Sequence, residues 1–156
     1  MTDKATAATG TTDATETQCP LCQVPLPSEL VRSDQWVIID ANEPMFPGFT
    51  RVVWIEHVRE MTDLSTRQRQ DLMEVVFEVE QIIRTKLAPH KVNLASLGNQ
   101  APHVHWHVIP RWTDDVAYPG PVWVIGQDTE AAQQRRAQTQ RALADYHGAL
   151  IQRFTA

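Results

Sequence analysis

Three of the six histidines fall within five residues, His103-Val104-His105-Trp106-His107, and Val108-Ile109-Pro110-Arg111 follow directly. Side chains alternate between faces along a strand, so this segment predicts His103, His105 and His107 on one face and Val104, Trp106 and Val108 on the other. Same-face neighbours then stand about 6.5 to 7 Å apart at a rise of ~3.3 Å per residue, which suits successive groups of an extended ligand such as a phosphate chain. Imidazole titrates near neutrality, so adjacent histidines can divide the roles of nucleophile, hydrogen-bond donor and proton carrier. A neutral ring nitrogen can attack phosphorus when its other nitrogen is held as a donor to a carbonyl. A catalytic metal held by the three rings is a second chemistry for the cluster, although no Asp or Glu lies within the segment.

Cys19 and Cys22 form the other reactive pair. Two cysteines are too few for a disulfide scaffold, and C-x-x-C spacing in a reducing compartment points to metal binding or redox chemistry. Arg51 and Arg111 flank the histidine segment in the strands expected around it. Either could offset phosphate charge, and an exposed strand end is the plainer reading of both. The five tryptophans, Trp36, Trp54, Trp106, Trp112 and Trp123, read as core or interface residues, with stacking on a base as the alternative. His90 and His147 read as surface residues.

Several elements must position these groups. Trp36 to Ile39, Arg51 to Ile55, Lys91 to Ala95 and His103 to Ile109 have strand composition, with turn chemistry at Asn42 to Gly48 and Ser96 to Gln100. Ser65-Thr66-Arg67-Gln68 reads as a capping box. The helix it opens carries Leu72, Val75, Val76, Val79, Ile82, Ile83 and Leu87 at three- and four-residue steps, and Pro89 bounds it. Asp128 reads as the N-cap of a C-terminal helix with Leu143, Tyr146, Leu150 and Phe154 on one face. Strands, helix, strands and helix in that order predict an α+β fold, a mainly antiparallel sheet packed with a long central helix and a C-terminal helix.

The chain has 156 residues, 42% of them hydrophobic, which is enough for one substantial core. Residues 1–18 hold little to bury and read as a disordered tail. Fourteen Lys plus Arg against nineteen Asp plus Glu leave a net charge of -5, so no global basic field favours nucleic acid. Any anionic ligand must be held locally. No apolar run approaches the roughly 18 residues of a membrane span, and no secretory signal opens the chain, so neither a membrane nor a nucleic acid is expected as partner and the cytoplasm is the expected compartment.

From Cys19 to about Val124, roughly two-thirds of the chain, the sequence resembles the histidine triad (HIT) family, whose His-x-His-x-His motif is matched by His103, His105 and His107. Ile55-Glu56-His57 and Lys91-Val92-Asn93-Leu94 extend the likeness. Phe46 to Arg51 and Asn93 to Asn99 are most similar to bacterial members described as diadenosine tetraphosphate hydrolase-like. The resemblance implies a HIT-like fold over residues 19–126, with 127–156 as a helical extension, and a homodimer through the helix and sheet edge. It implies a nucleotide phosphohydrolase that cleaves at the α-phosphate of a dinucleoside polyphosphate or nucleoside phosphoramidate through a covalent nucleotidyl-histidine. His105 would be the nucleophile, His107 would contact phosphate oxygens, and His103 would orient the site. Asn93, Asn99 and Gln100 would bind the nucleotide. No cofactor is implied for the catalytic step, while Cys19, Cys22, His57 and His103 would be the ligands of a structural zinc. Gln at the last triad position marks the transferase branch, so His107 favours hydrolysis. Many members also carry a Gly-His segment where this chain has Gly48-Phe49. That missing imidazole motivates an alternative, a non-catalytic nucleotide-binding regulatory protein.

Overall fold

The computed structural model describes residues 19–124 and 126–156, so the tail expected over 1–18 lies outside the described residues. Among the described residues, five strands are assigned: β1 (Glu29–Arg32), β2 (Trp36–Asp40), β3 (Thr50–Trp54), β4 (Lys91–Ala95) and β5 (His105–Arg111). They form one antiparallel sheet in the order β1-β2-β3-β5-β4. Helices α1 (Thr66–Lys86) and α2 (Glu130–Thr155) complete the expected α+β architecture.

Strand alternation sorts the sheet into two faces. Val31, Ile38, Val52, Trp54, Val92 and Val108 point into the main core, where they meet α1 and the Tyr146 and Leu150 side chains of α2. The expected stripe of α1 is buried at Leu72, Val75, Val76, Val79 and Ile83. Each such side chain contributes about 1.5–3 kcal/mol on leaving water. The Ser65 capping box is present, but a cap contributes only ~1 kcal/mol, so packing dominates the placement of α1.

On the opposite face, Leu26 covers Val37, Ile39 and Val53 at one end of the sheet. Phe46 and Phe49 pack with Ile109 and Ala117 at the other. The chain enters β3 through Gly48, at φ +87°, where an added Cβ would lie 2.6 Å from Leu87 Cδ1. The turn therefore favours glycine for its left-handed backbone, and an added Cβ would also displace the tip of Leu87.

Several assignments depart from the expectations, among them the ends of β2, β3 and β5. β1 had no sequence signal, since only Val31 of its four residues is buried. β3 begins one residue earlier, at Thr50, whose Oγ1 meets the buried Tyr146 hydroxyl at 2.6 Å and joins α2 to the sheet. β5 begins at His105 rather than His103, because Val104 bonds instead to the backbone of Val58 and Trp54. The N-cap of α2 is Thr129 rather than Asp128; the Thr129 hydroxyl accepts from the Ala132 amide. His147 lies within α2 and half-buried, with Nε2 3.2 Å from Asp40, and so is not a free surface residue.

Candidate active site

Because β3 and β5 run antiparallel with Arg51 opposite His107 and Val53 opposite His105, alternation brings His105, His107 and Arg51 to the face turned away from the helices. His105 and His107 are both buried, with ring centroids 4.9 Å apart. His105 Nδ1 lies 2.6 Å from the carbonyl oxygen of His103. A carbonyl only accepts, so Nδ1 carries the proton and the Nε2 lone pair is left available. This is the tautomer that a nucleophilic imidazole needs.

Burial is the main cause that lowers the pKa of both rings; for His105 the His103 carbonyl opposes it and nearby Arg51 reinforces it. His107 is lowered to about 4, by burial first, then by His105 and Arg51. Its Nε2 is buried and has no hydrogen-bond partner among the described residues. Phe49 stands 5.2 Å from the His107 ring and forms part of its dry wall.

Val104 packs into the helix-side core with Trp106 and Val108, as the alternation predicts, and His103 turns to the lead-in. It is fully buried in the bend before β5, and its Nε2 lies 2.6 Å from the Trp54 carbonyl. The same accepting-carbonyl logic puts the proton on Nε2 and turns the Nδ1 lone pair toward Cys19 Sγ, 3.4 Å away, and Cys22 Sγ, 3.5 Å away. His57 Nδ1 lies 3.2 Å from Cys22 Sγ. All four donor atoms are within 4.8 Å of one another. A tetrahedral ion with S and N ligands at its usual bond lengths has S to N edges of roughly 3.5 Å, so the set fits a Cys2His2 metal site. The Nε2 proton held by a backbone carbonyl is also the outer support that metal-bound histidines use. The three histidines thus have different partners, two lining the cavity and one meeting the cysteines.

A cavity of about 650 Å³ opens over His105, His107 and Arg51, and the exposed Asn99 and Gln100 line its rim. Asn93 lies instead in an adjoining cavity of about 510 Å³ beside β4. Trp123, 62% exposed, borders both cavities, whereas Trp54 and Trp112 are buried. Arg111 is neither exposed nor turned to the histidines. It is 2% exposed and pairs with Asp115 through both carboxylate oxygens, at 2.7 and 3.0 Å. It also donates to the Gly120 carbonyl and to Asn93 Oδ1 at 2.9 Å. Because Arg111 can only donate, it fixes the Asn93 amide with its oxygen inward and leaves the NH2 as a donor. Asp115 and the lead-in residues Pro20 and Leu21, which reach the larger cavity, were not anticipated. The four-residue step from Arg111 to Asp115 was the available signal for the first.

The antiparallel sheet, with both helices on one face and paired imidazoles on the other, defines an α+β domain class. The HIT domain family matches residues 27–114, and the chain belongs to that family. Among curated relatives, an AP-4-A phosphorylase of Mycobacterium tuberculosis (strain ATCC 25618 / H37Rv) is 31% identical over 107 residues, 65% of this chain and 53% of that protein. An asymmetrical bis(5'-nucleosyl)-tetraphosphatase of Schizosaccharomyces pombe is 31% identical over 74 residues, 44% of this chain and 41% of that protein. The chain spans about half the length of the curated relatives it matches, or less. Among solved structures, a histidine triad protein from Marinobacter aquaeolei VT8 is 26% identical, with a TM-score of 0.61 over 78% of this chain and 89% of that one. No helix among the described residues is long and apolar enough to cross a membrane.

Proposed function

We propose that the protein is a nucleotide phosphohydrolase that cleaves dinucleoside polyphosphates, of the diadenosine tetraphosphate type, or nucleoside phosphoramidates at the α-phosphate. The observation that carries this reading is the 2.6 Å contact of His105 Nδ1 with the His103 carbonyl, which directs an unprotonated Nε2 to the cavity. The names of the curated relatives support a nucleotide substrate. The Nε2 lone pair forms a bond to the α-phosphorus while the bond from phosphorus to the leaving group breaks, its electron pair going to the leaving atom. Water then attacks the nucleotidyl-histidine, its proton passes to solvent, and a nucleoside monophosphate leaves. His107 donates to phosphate oxygens, and the amides of Asn93, Asn99 and Gln100 hold the nucleotide and its phosphate chain.

His103 orients His105 through its carbonyl, and its ring joins Cys19, Cys22 and His57 as the ligand set of a structural zinc. Zinc in a closed Cys2His2 set supplies a cross-link and no chemistry at phosphorus. Residues 19–126 hold all of these groups, and 127–156 form an extension packed on them. A homodimer through α1 and the β4 edge belongs to the same reading. It is supported by Phe77, exposed on α1, and by the terminal place of β4 in the sheet. The second reading, a regulatory protein that binds nucleotides without turnover, draws on Phe49, which fills its position with a buried apolar ring.

The test is intact-mass spectrometry of wild type and His105→Ala after brief mixing with diadenosine tetraphosphate, with product analysis, with and without chelator and inorganic phosphate. An adenylyl adduct in wild type alone, with AMP released, is expected. Full turnover by His105→Ala would sink the proposal, and binding without adduct or product would favour the regulatory reading. ADP formed when phosphate is added would make phosphate, rather than water, the acceptor.

A further inference from the structure

Two arginines border the histidine strand, and the structure separates them by how their hydrogen bonds are used. Arg111 places four of its five N–H donors on Asp115, Gly120 and Asn93. Among the described residues, the one ion pair of Arg51 is long, Nη2 to Glu43 Oε1 at 3.7 Å, and the Glu43 side chain is itself 43% exposed. Arg51 Nε is buried with no hydrogen-bond partner among the described residues. The guanidinium lies 5.5 Å over the Phe49 ring, which limits where it can point. It lines the same cavity as His105 and His107. A buried N–H without an acceptor is costly, and a phosphate oxygen is the acceptor that a guanidinium matches best.

The row containing Arg51 and His107 lies one same-face step, about 6.5 to 7 Å, along the strands from the row containing His105. A phosphate chain attacked at His105 and running along β5 toward His107 would bring its next groups to Arg51. His107, lowered to about 4, is neutral at physiological pH and brings no charge to this region. In a chain of net charge -5, the cation that faces a phosphate chain must be local.

We propose that Arg51 binds the phosphate chain of the leaving group and makes the site select polyanionic leaving groups over uncharged ones. This deepens the nucleotidyl-histidine reading and rests on it. As the bond from Nε2 to phosphorus forms and the anhydride P–O bond breaks, the electron pair and a negative charge move onto the departing phosphate oxygen. Arg51 stabilises that charge by hydrogen bonding and keeps all its protons throughout. A phosphoramidate nitrogen takes the electron pair of the breaking P–N bond together with a proton from solvent, departs as a neutral amine, and gains nothing from Arg51.

The experiment compares wild type, Arg51→Gln and Arg51→Lys on diadenosine tetraphosphate and on an adenosine phosphoramidate, with kcat and KM measured separately. Arg51→Gln should lose about 100-fold in kcat/KM on the tetraphosphate and less than about 3-fold on the phosphoramidate, with Arg51→Lys intermediate. Equal losses on both substrates, or none on the tetraphosphate, would overturn the assignment. Calorimetric binding of diadenosine tetraphosphate and of AMP to the same proteins reads Arg51 without turnover. There Arg51→Gln should weaken the tetraphosphate by at least about 10-fold and leave AMP nearly unchanged, and unchanged tetraphosphate binding would reject the proposal. If wild type turns over neither substrate, the hydrolase reading fails, and this binding arm still decides the role of Arg51.

Discussion

His107 shows how a neighbour sets the chemistry of a side chain. Phe49 contributes a buried ring to an apolar cluster and lies 5.2 Å from His107. His107 is itself buried, and burial first, then His105 and Arg51, lowers its pKa from 6.5 to about 4. A neutral ring can offer phosphate an N–H bond but no charge, which leaves that task to Arg51. The lowered pKa is also linked to stability. The unfolded chain takes up a proton below about pH 6.5 while the folded ring does not, so the stability present above pH 6.5 falls progressively as the pH drops toward 4. His107→Gln should therefore lose less stability than wild type between pH 7 and 4.5, read as the shift in urea midpoint. Equal shifts in the two proteins would show that the ring titrates normally.

At the scale of elements, the register of β3 against β5 places Arg51 opposite His107, and the bend before β5 turns the His103 ring to the cysteines. Single-residue shifts matter here because alternation turns each one into a change of face. The end of α1 carries its own strain. Leu87 caps it, donating to the Ile83 carbonyl, and Ala88 follows at φ 48°, in the left-handed region that glycine occupies without cost. Ala88→Gly should raise stability by up to about 1 kcal/mol, since relief of the left-handed conformation outweighs the added freedom of the unfolded chain. Chemical denaturation checks this, and a loss of stability would mean that the Ala88 methyl contributes more by packing than its backbone costs.

Across the whole molecule, the Cys2His2 set joins segments far apart in the chain. Cys19 and Cys22 come from the lead-in, His57 follows β3, and His103 precedes β5. The same lead-in covers Val37, Ile39 and Val53 with Leu26 and lines the cavity with Leu21. A metal there would hold the lead-in on the sheet and the His103 carbonyl on His105. Elemental analysis should find one zinc per chain. Cys22→Ser, or prolonged chelation, should lower the melting temperature by about 5–15 °C and slow turnover only as the fold loosens. Immediate loss of activity on chelation, at unchanged melting temperature, would instead favour a catalytic metal.

Much of this molecule was legible in the sequence because it depends on local rules. Alternation in His105-Trp106-His107 sets an imidazole pair against an apolar face, the Ser65 capping box starts α1, and the three- and four-residue steps from Leu72 to Ile83 choose its buried side. Those signals act over a turn or a few strand residues, where backbone geometry alone decides which side chains share a face. The chain alone left β1 unseen and gave both arginines the same reading. Both depended on partners distant in the chain or fixed by its folding: β2 for β1, and Asp115, Gly120 and Asn93 for Arg111. Which arginine keeps a free hydrogen bond is settled only when the sheet assembles, because burial and hydrogen-bond partners belong to the packed fold and not to the order of residues.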